Sequence, residues 1–172
     1  MVLRMSLFRK KFTILVVCKA NITRSAYLHG YMDFYLKEYM PHLRKKIRII
    51  SGGVKARRGS SASRVVQHVA RVNHFDLKSH QSDPLSKKMI KKADVILVME
   101  GWQKENILER FPEAKGKTFL LTEYLWKEDD PKIADIPDPT GQNLADYEEF
   151  IYVAHNEVDR ILNEIDRANL AS

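Results

Sequence analysis

The stretch "CKANITRS", residues 18–25, holds the only cysteine of the 172-residue chain and places an arginine six positions after it. A cysteine thiolate is a strong nucleophile, and an arginine guanidinium is a planar fork that matches two oxygens of a phosphate group. Folded as a turn from a strand into a helix, such a stretch curls its backbone N–H groups, with those of the first helical turn, around one anion. The same positive surroundings stabilise negative charge on Cys18. Ser25 can donate its hydroxyl to the sulfur, and Asn21 tolerates a left-handed backbone inside a tight loop. Cys18 and Arg24 are therefore candidate catalytic residues. Lys19, Ala20, Asn21, Ile22, Thr23 and Ser25 are the candidates for holding the substrate phosphate. A lone cysteine at a strand end is more often an inert packing residue, so the surrounding elements must decide.

Cleaving a phosphate ester also requires an acid for the departing oxygen. "DIPDPTG" offers Asp138 between Pro137 and Pro139, whose fixed φ angles stiffen the loop, with Asp135 as a second candidate. Taken alone, Pro-Asp-Pro is more readily explained as a turn.

The elements that must position these residues follow from periodicity. "FTILVVC" (12–18) is a continuous apolar and β-branched run, the mark of a strand buried on both faces. Residues 25–40 carry apolar and aromatic side chains at helical spacing, and Pro41 stops them. "IRIIS" (47–51) is a second strand, ended by Gly52 and Gly53, and 61–73 is a helix opened by serine caps. A short helix within 82–93 precedes a third buried strand over 94–99. A helix over 101–111 running into Pro112 and a strand over 117–121 follow. Residues 128–141 form an acidic, proline-punctuated loop. From Leu144 through Tyr147, Ile151, Ala154, Val158, Ile161 and Ile165, the three-or-four spacing predicts one long amphipathic helix. Strands alternating with helices imply a doubly wound α/β fold, a four-stranded parallel sheet with helices on both faces in a flavodoxin-like three-layer sandwich. Ligands of such sheets bind beyond the carboxyl ends of the strands, where Cys18 falls.

Composition narrows the partners. The net charge of +7 favours anions. Its basic residues are dispersed over "RKK", "RKKIR", "KARR" and "KKMIKK" without a nucleic-acid motif, so nucleic acid is not expected. A single cysteine excludes an intrachain disulfide and a multi-thiolate metal site, and points to a cytoplasmic location. No apolar run approaches the ~20 residues of a transmembrane helix. Residues 1–11 lack the features of a signal peptide and are expected to be a frayed lead-in, with Met5 an alternative start, leaving 12–172 as a single domain. Oligomeric state does not follow from the sequence.

The combination resembles one family. A Cys-x5-Arg-Ser loop directly after the first strand, with an Asp-Pro loop about 120 residues downstream and before the last helix, is similar to the low molecular weight protein tyrosine phosphatases. In the larger tyrosine and dual-specificity phosphatases the acid lies upstream of the cysteine, and a histidine usually precedes it; here the acid is downstream and Val17 precedes. "IISGG", "LKSHQS" and "ADVILVME" resemble further family segments, so the resemblance runs from about Phe12 to Ile165. It implies loop-bracing hydrogen bonds from Asn21, Ser25, Ser51 and His80. It also implies double displacement through a phosphocysteine, with no cofactor and no metal. A phosphotyrosine protein is the implied substrate and, for a bacterial chain, a tyrosine kinase the implied partner.

Three departures bear on substrate and regulation. Thr23 stands where many members carry a second cysteine, so oxidised Cys18 has no thiol partner. Activity lost to peroxide is therefore expected to return less fully on treatment with a reductant than in a Thr23→Cys variant. Thr140 stands where an aromatic wall of the phenol slot is usual, facing Lys19 rather than an apolar residue, with Tyr124, Trp126 or Tyr147 as possible replacements for that wall. Ala20 stands where glycine is common, and "VKARRG" (54–59) replaces an aromatic rim with Lys55, Arg57 and Arg58, which suits an acidic substrate surface or a multiply charged phosphate compound. Two other readings stay open: a phosphate- or phosphoprotein-binding module with little turnover, and an arsenate reductase on the same scaffold, which normally needs further cysteines.

Overall fold

The computed structural model describes residues 11–170, so the expected lead-in lies outside the described residues apart from Lys11. The strands are β1 (Phe12–Cys18), β2 (Ile47–Gly53), β3 (Val95–Val98) and β4 (Thr118–Leu120). The helices are α1 (Arg24–Glu38), α2 (Pro41–Arg44), α3 (Arg64–Val72), α4 (Lys87–Lys92), α5 (Gly101–Arg110) and α6 (Leu144–Leu170).

All four strands are parallel, in the order β2-β1-β3-β4. Side chains alternate across β1, so Ile14, Val16 and Cys18 join the core beneath α1 and α6. Leu15 and Val17 join the opposite core, with Ile90 of α4 and Ile107 of α5. A sheet covered on both faces is what the unbroken apolar run of β1 requires. The chain departs from β1 toward β2 on one side and later returns to β3 on the other. That reversal opens the crevice where ligands of such sheets bind. The register puts Cys18 beside Gly53 and Val17 beside Val98, so the ends of three strands meet at one rim.

Several boundaries differ from the sequence expectation. Gly52 and Gly53 do not follow β2 but are its last two residues, continuing its pairing with β1. Pro41 opens the short helix α2 at its first position, where its missing N–H costs nothing. The serine cap of α3 is Ser63, whose hydroxyl oxygen accepts from the Val66 N–H, so this helix begins at Arg64. A 3-10 turn occupies Pro112–Ala114 after α5. Leu144, expected on the buried stripe of α6, is 67% exposed because it lies in the first turn, before that stripe reaches the core.

Burial of two histidines makes stability depend on pH. His155 of α6 lies 3.9 Å from the Tyr31 ring and is hydrogen-bonded to the Tyr27 hydroxyl at 2.8 Å. Burial lowers its pKa from the usual 6.5. Burial likewise lowers that of His29, and neighbouring His80 adds to this while Asp33 opposes it. Below about pH 6.5 the unfolded chain therefore binds more protons at these sites than the folded one, and stability falls as pH falls through that window. The melting temperature is expected to drop between about pH 7.5 and about pH 5.5, with a shallower slope in His155→Gln. An unchanged slope in that variant would remove His155 from the account.

Candidate active site

Cys18 ends β1 and the chain then turns through Lys19–Thr23 into α1. Asn21 makes the turn possible with φ at 56°, the left-handed conformation that asparagine tolerates. Its side chain works in two directions. Oδ1 accepts from the Asp83 N–H at 2.9 Å, and Nδ2 donates to Ser25 Oγ at 2.8 Å. The Ser25 hydroxyl lies 3.0 Å from Cys18 Sγ and 3.5 Å from the Gly52 carbonyl, and toward a thiolate, which can only accept, it is the donor. The Asn21 N–H also points to the sulfur, at 3.3 Å. The Asn21 N–H and the Ser25 hydroxyl thus converge on the buried sulfur of Cys18 at the end of β1. The N–H groups of Ala20, Ile22 and Thr23 take no backbone acceptor among the described residues. Asn21 and Thr23 are buried, Ala20 and Ile22 partly so, and Lys19 is exposed at the rim.

The loop is braced from outside. His80 Nε2 donates to the Asn21 carbonyl at 2.7 Å, which fixes the proton on that nitrogen. Ser51 does not reach the loop. Its hydroxyl pairs with His29 Nδ1 at 2.9 Å, because α1 carries that ring to the end of β2. Closer support comes from Gly53. A Cβ at this position would lie 2.8 Å from the Lys19 carbonyl oxygen and 2.9 Å from the Asn21 nitrogen, both backbone atoms of the loop. Gly53→Ala is therefore expected to displace the loop and lower kcat/KM at least ~10-fold while the fold survives. Activity within about twofold of wild type would show that the loop adjusts freely.

Arg24 opens α1 and is 1% exposed. Its Nη1 donates to Glu100 Oε2 at 2.6 Å and to the Ile136 carbonyl at 2.7 Å, and its Nη2 donates to Asp138 Oδ2 at 3.0 Å. Three of five N–H groups are engaged. The buried Nε has no partner, so one edge, Nε–H with the second Nη2–H, is left to meet two oxygens of an anion.

Asp138 and Arg24 thus meet, although 114 residues separate them. Asp135 is placed elsewhere: its Oδ1 accepts from the Gly101 N–H at 2.9 Å, tying the acidic loop to the start of α5. The Ile136 N–H, donating to the Met99 carbonyl at 2.8 Å, is a second tie. Glu100 was missed in the sequence. It follows β3 at the strand-end rim and is held by the buried Gln103, which donates to it at 2.9 Å. An acidic residue directly after a buried strand of a doubly wound sheet was the available signal.

Two of the three aromatics expected to rebuild the slot wall are withdrawn from the surface. Tyr124 and Tyr147 are buried, and Trp126 donates its indole N–H to the Pro131 carbonyl. Trp102 stands at the rim instead, with the Lys55 ammonium 5.7 Å from its ring centroid. The Lys55 N–H donates to the Lys19 carbonyl, joining this rim to the Cys18 loop. Arg58 is turned away to Asp83, at 2.6 Å.

Known proteins share both sequence and fold with this chain. The family model described as low molecular weight phosphotyrosine protein phosphatase matches residues 13–170. A probable low molecular weight protein-tyrosine-phosphatase, EpsP of Ralstonia nicotianae, is 32% identical over 147 residues, covering 86% of this chain and 91% of the relative. A protein-arginine-phosphatase of Geobacillus stearothermophilus is 31% identical over 154 residues, covering 90% and 93%. Among solved structures, the YwlE arginine phosphatase of Geobacillus stearothermophilus superposes with a TM-score of 0.80 at 29% identity, covering 93% of this chain and 96% of that one. With the match spanning nearly its whole length, the chain belongs to the low molecular weight phosphotyrosine protein phosphatase family.

Proposed function

We propose that the protein hydrolyses phosphotyrosine in proteins by double displacement. The Cys18 thiolate attacks phosphorus, and the S–P bond forms as the bond to the phenolic oxygen breaks. Asp138 gives its proton to that oxygen. Arg24 and the loop N–H groups hold the equatorial oxygens, where charge gathers in the transition state. Water, deprotonated by Asp138, then attacks phosphorus and releases inorganic phosphate, while the Ser25 hydroxyl stabilises the departing thiolate. The observation that carries this reading is the buried Arg24 guanidinium. It is bonded to the acid on one side and keeps its Nε–H unpartnered on the edge suited to a phosphate.

The rim supports tyrosine over arginine as the phosphorylated residue. Exposed Lys19, Lys55 and Arg57 repel the cationic guanidinium of phosphoarginine and attract acidic residues flanking a phosphotyrosine, and Trp102 supplies an aromatic surface. A tyrosine kinase is the class of enzyme that must supply such a substrate. A nucleophilic thiol requires a reducing compartment, for which the cytoplasm is our reading. No described helix is long and apolar enough to cross a membrane.

Competing phosphotyrosine and phosphoarginine peptides with acidic flanks, in the presence of chelator, test the assignment. Faster release from phosphotyrosine, weakened by salt, is expected. Preference for phosphoarginine would overturn the substrate, and inactivity on both would favour a binding module.

A further inference from the structure

We propose that Thr140 and Thr23 form a latch that holds the acid loop against the Cys18 loop, making Thr140 a positioning residue for Asp138. The inference rests on the phosphatase reading above. The two threonines are the positions where the sequence departs from the family's aromatic and second cysteine, and the structure brings them together. Thr140 Oγ1 donates to Thr23 Oγ1 at 3.0 Å, and Thr23 Oγ1 donates onward to Ser63 Oγ at 3.4 Å. Ser63 Oγ accepts in turn from the Val66 N–H at 3.4 Å as the cap of α3. Its N–H donates to the Ile22 carbonyl at 2.8 Å, so the cap also grips the Cys18 loop. A line of hydroxyls therefore runs from the acid loop, through the residue preceding Arg24, to the fixed end of a helix.

Thr140 also holds the acid directly. Its N–H donates to Asp138 Oδ1 at 3.1 Å, while Oδ2 accepts from Arg24 at 3.0 Å. Both carboxylate oxygens are thus placed, one of them by a residue whose own side chain is tethered. Apart from the local turn bond from the Gln142 N–H to the Pro139 carbonyl, the contacts with Arg24 and Thr23 are the only hydrogen bonds from residues 138–141 to other parts of the chain among the described residues. Breaking the threonine contact leaves the acid attached to Arg24, but without a fixed loop behind it. The Thr140 proton is spent on Thr23, so its hydroxyl anchors rather than relays a proton to the substrate.

An acid matters more as the leaving oxygen becomes more basic. The latch therefore predicts a dependence on leaving group that general damage to the site would not produce. The test compares kcat/KM for phenyl phosphate and 2,4-dinitrophenyl phosphate in wild type, Thr140→Val, Thr23→Val, the double variant and Thr140→Ser. Each valine variant is expected to lose about fivefold on phenyl phosphate, the worth of one neutral hydrogen bond, and under about twofold on the dinitrophenyl ester. The double variant should be no worse than Thr23→Val, which already lacks the Thr140 contact as well as the bond to Ser63. Thr140→Ser should restore the rate. Equal losses on both esters, additive losses, or no loss would overturn the latch while leaving the phosphatase reading in place. Wild type inert on both esters would instead overturn the phosphatase reading, and the latch with it.

Discussion

Cys18→Ser is expected to lower turnover of aryl phosphates by on the order of 10⁴-fold or more while the protein stays folded and still binds inorganic phosphate. Serine is smaller by little and remains a neutral hydroxyl. Asn21 Nδ2 still reaches Ser25, His80 still holds the Asn21 carbonyl, and the Nε edge of Arg24 is untouched. The anion site survives without its nucleophile. Removing the negative charge that a thiolate presents to a phosphate dianion should even tighten binding, as calorimetry with phosphate would register. Loss of both activity and phosphate binding in a folded variant would mean that the sulfur organises the loop, a role the present account does not give it.

Arg24→Lys is the second large effect, expected to cost on the order of 10³-fold in kcat/KM. A lysine keeps the charge but has three donors in place of five, on a point rather than a fork. It cannot serve Glu100, the Ile136 carbonyl and Asp138 together and still meet two phosphate oxygens. Glu100→Gln separates the components. It keeps an acceptor for Nη1 but removes the charge that orients the guanidinium, so a loss of about tenfold is expected, well short of the lysine variant. Equal losses in the two variants would mean that Arg24 acts only through Glu100.

The sequence disclosed what depends on local chemistry. The β-branched run of β1, the left-handed Asn21 and the Ser25 contact to the sulfur all follow from residue type and neighbours, and the order of cysteine before acid pointed to the family. What it concealed depends on long-range packing. Ser51 was expected at the loop, but His29 reaches it from α1. Gly52 and Gly53, residue types that predict a strand end, are paired strand residues, and position 53 needs glycine because the Cys18 loop passes too close for a side chain. Glu100, one residue past the expected third strand, acquires a role only when the fold brings Arg24 beside it. Thr23 and Thr140 appeared as two separate losses, and only the fold shows them joined. Leu144 fits the spacing of α6 but lies in its exposed first turn.

The central claim is a phosphoryl group carried on Cys18, and trapping it is the most direct test. Asp138→Asn should still be phosphorylated by 2,4-dinitrophenyl phosphate, whose leaving group needs little protonation, and should then lose the phosphoryl group slowly for want of a base. Acid quenching during turnover, with chelator present, should give one phosphoryl group per chain, on the peptide containing Cys18. Wild type should show less of it and Cys18→Ser none that turns over. Steady hydrolysis with no phosphorylated peptide, undiminished in Cys18→Ser, would contradict the account.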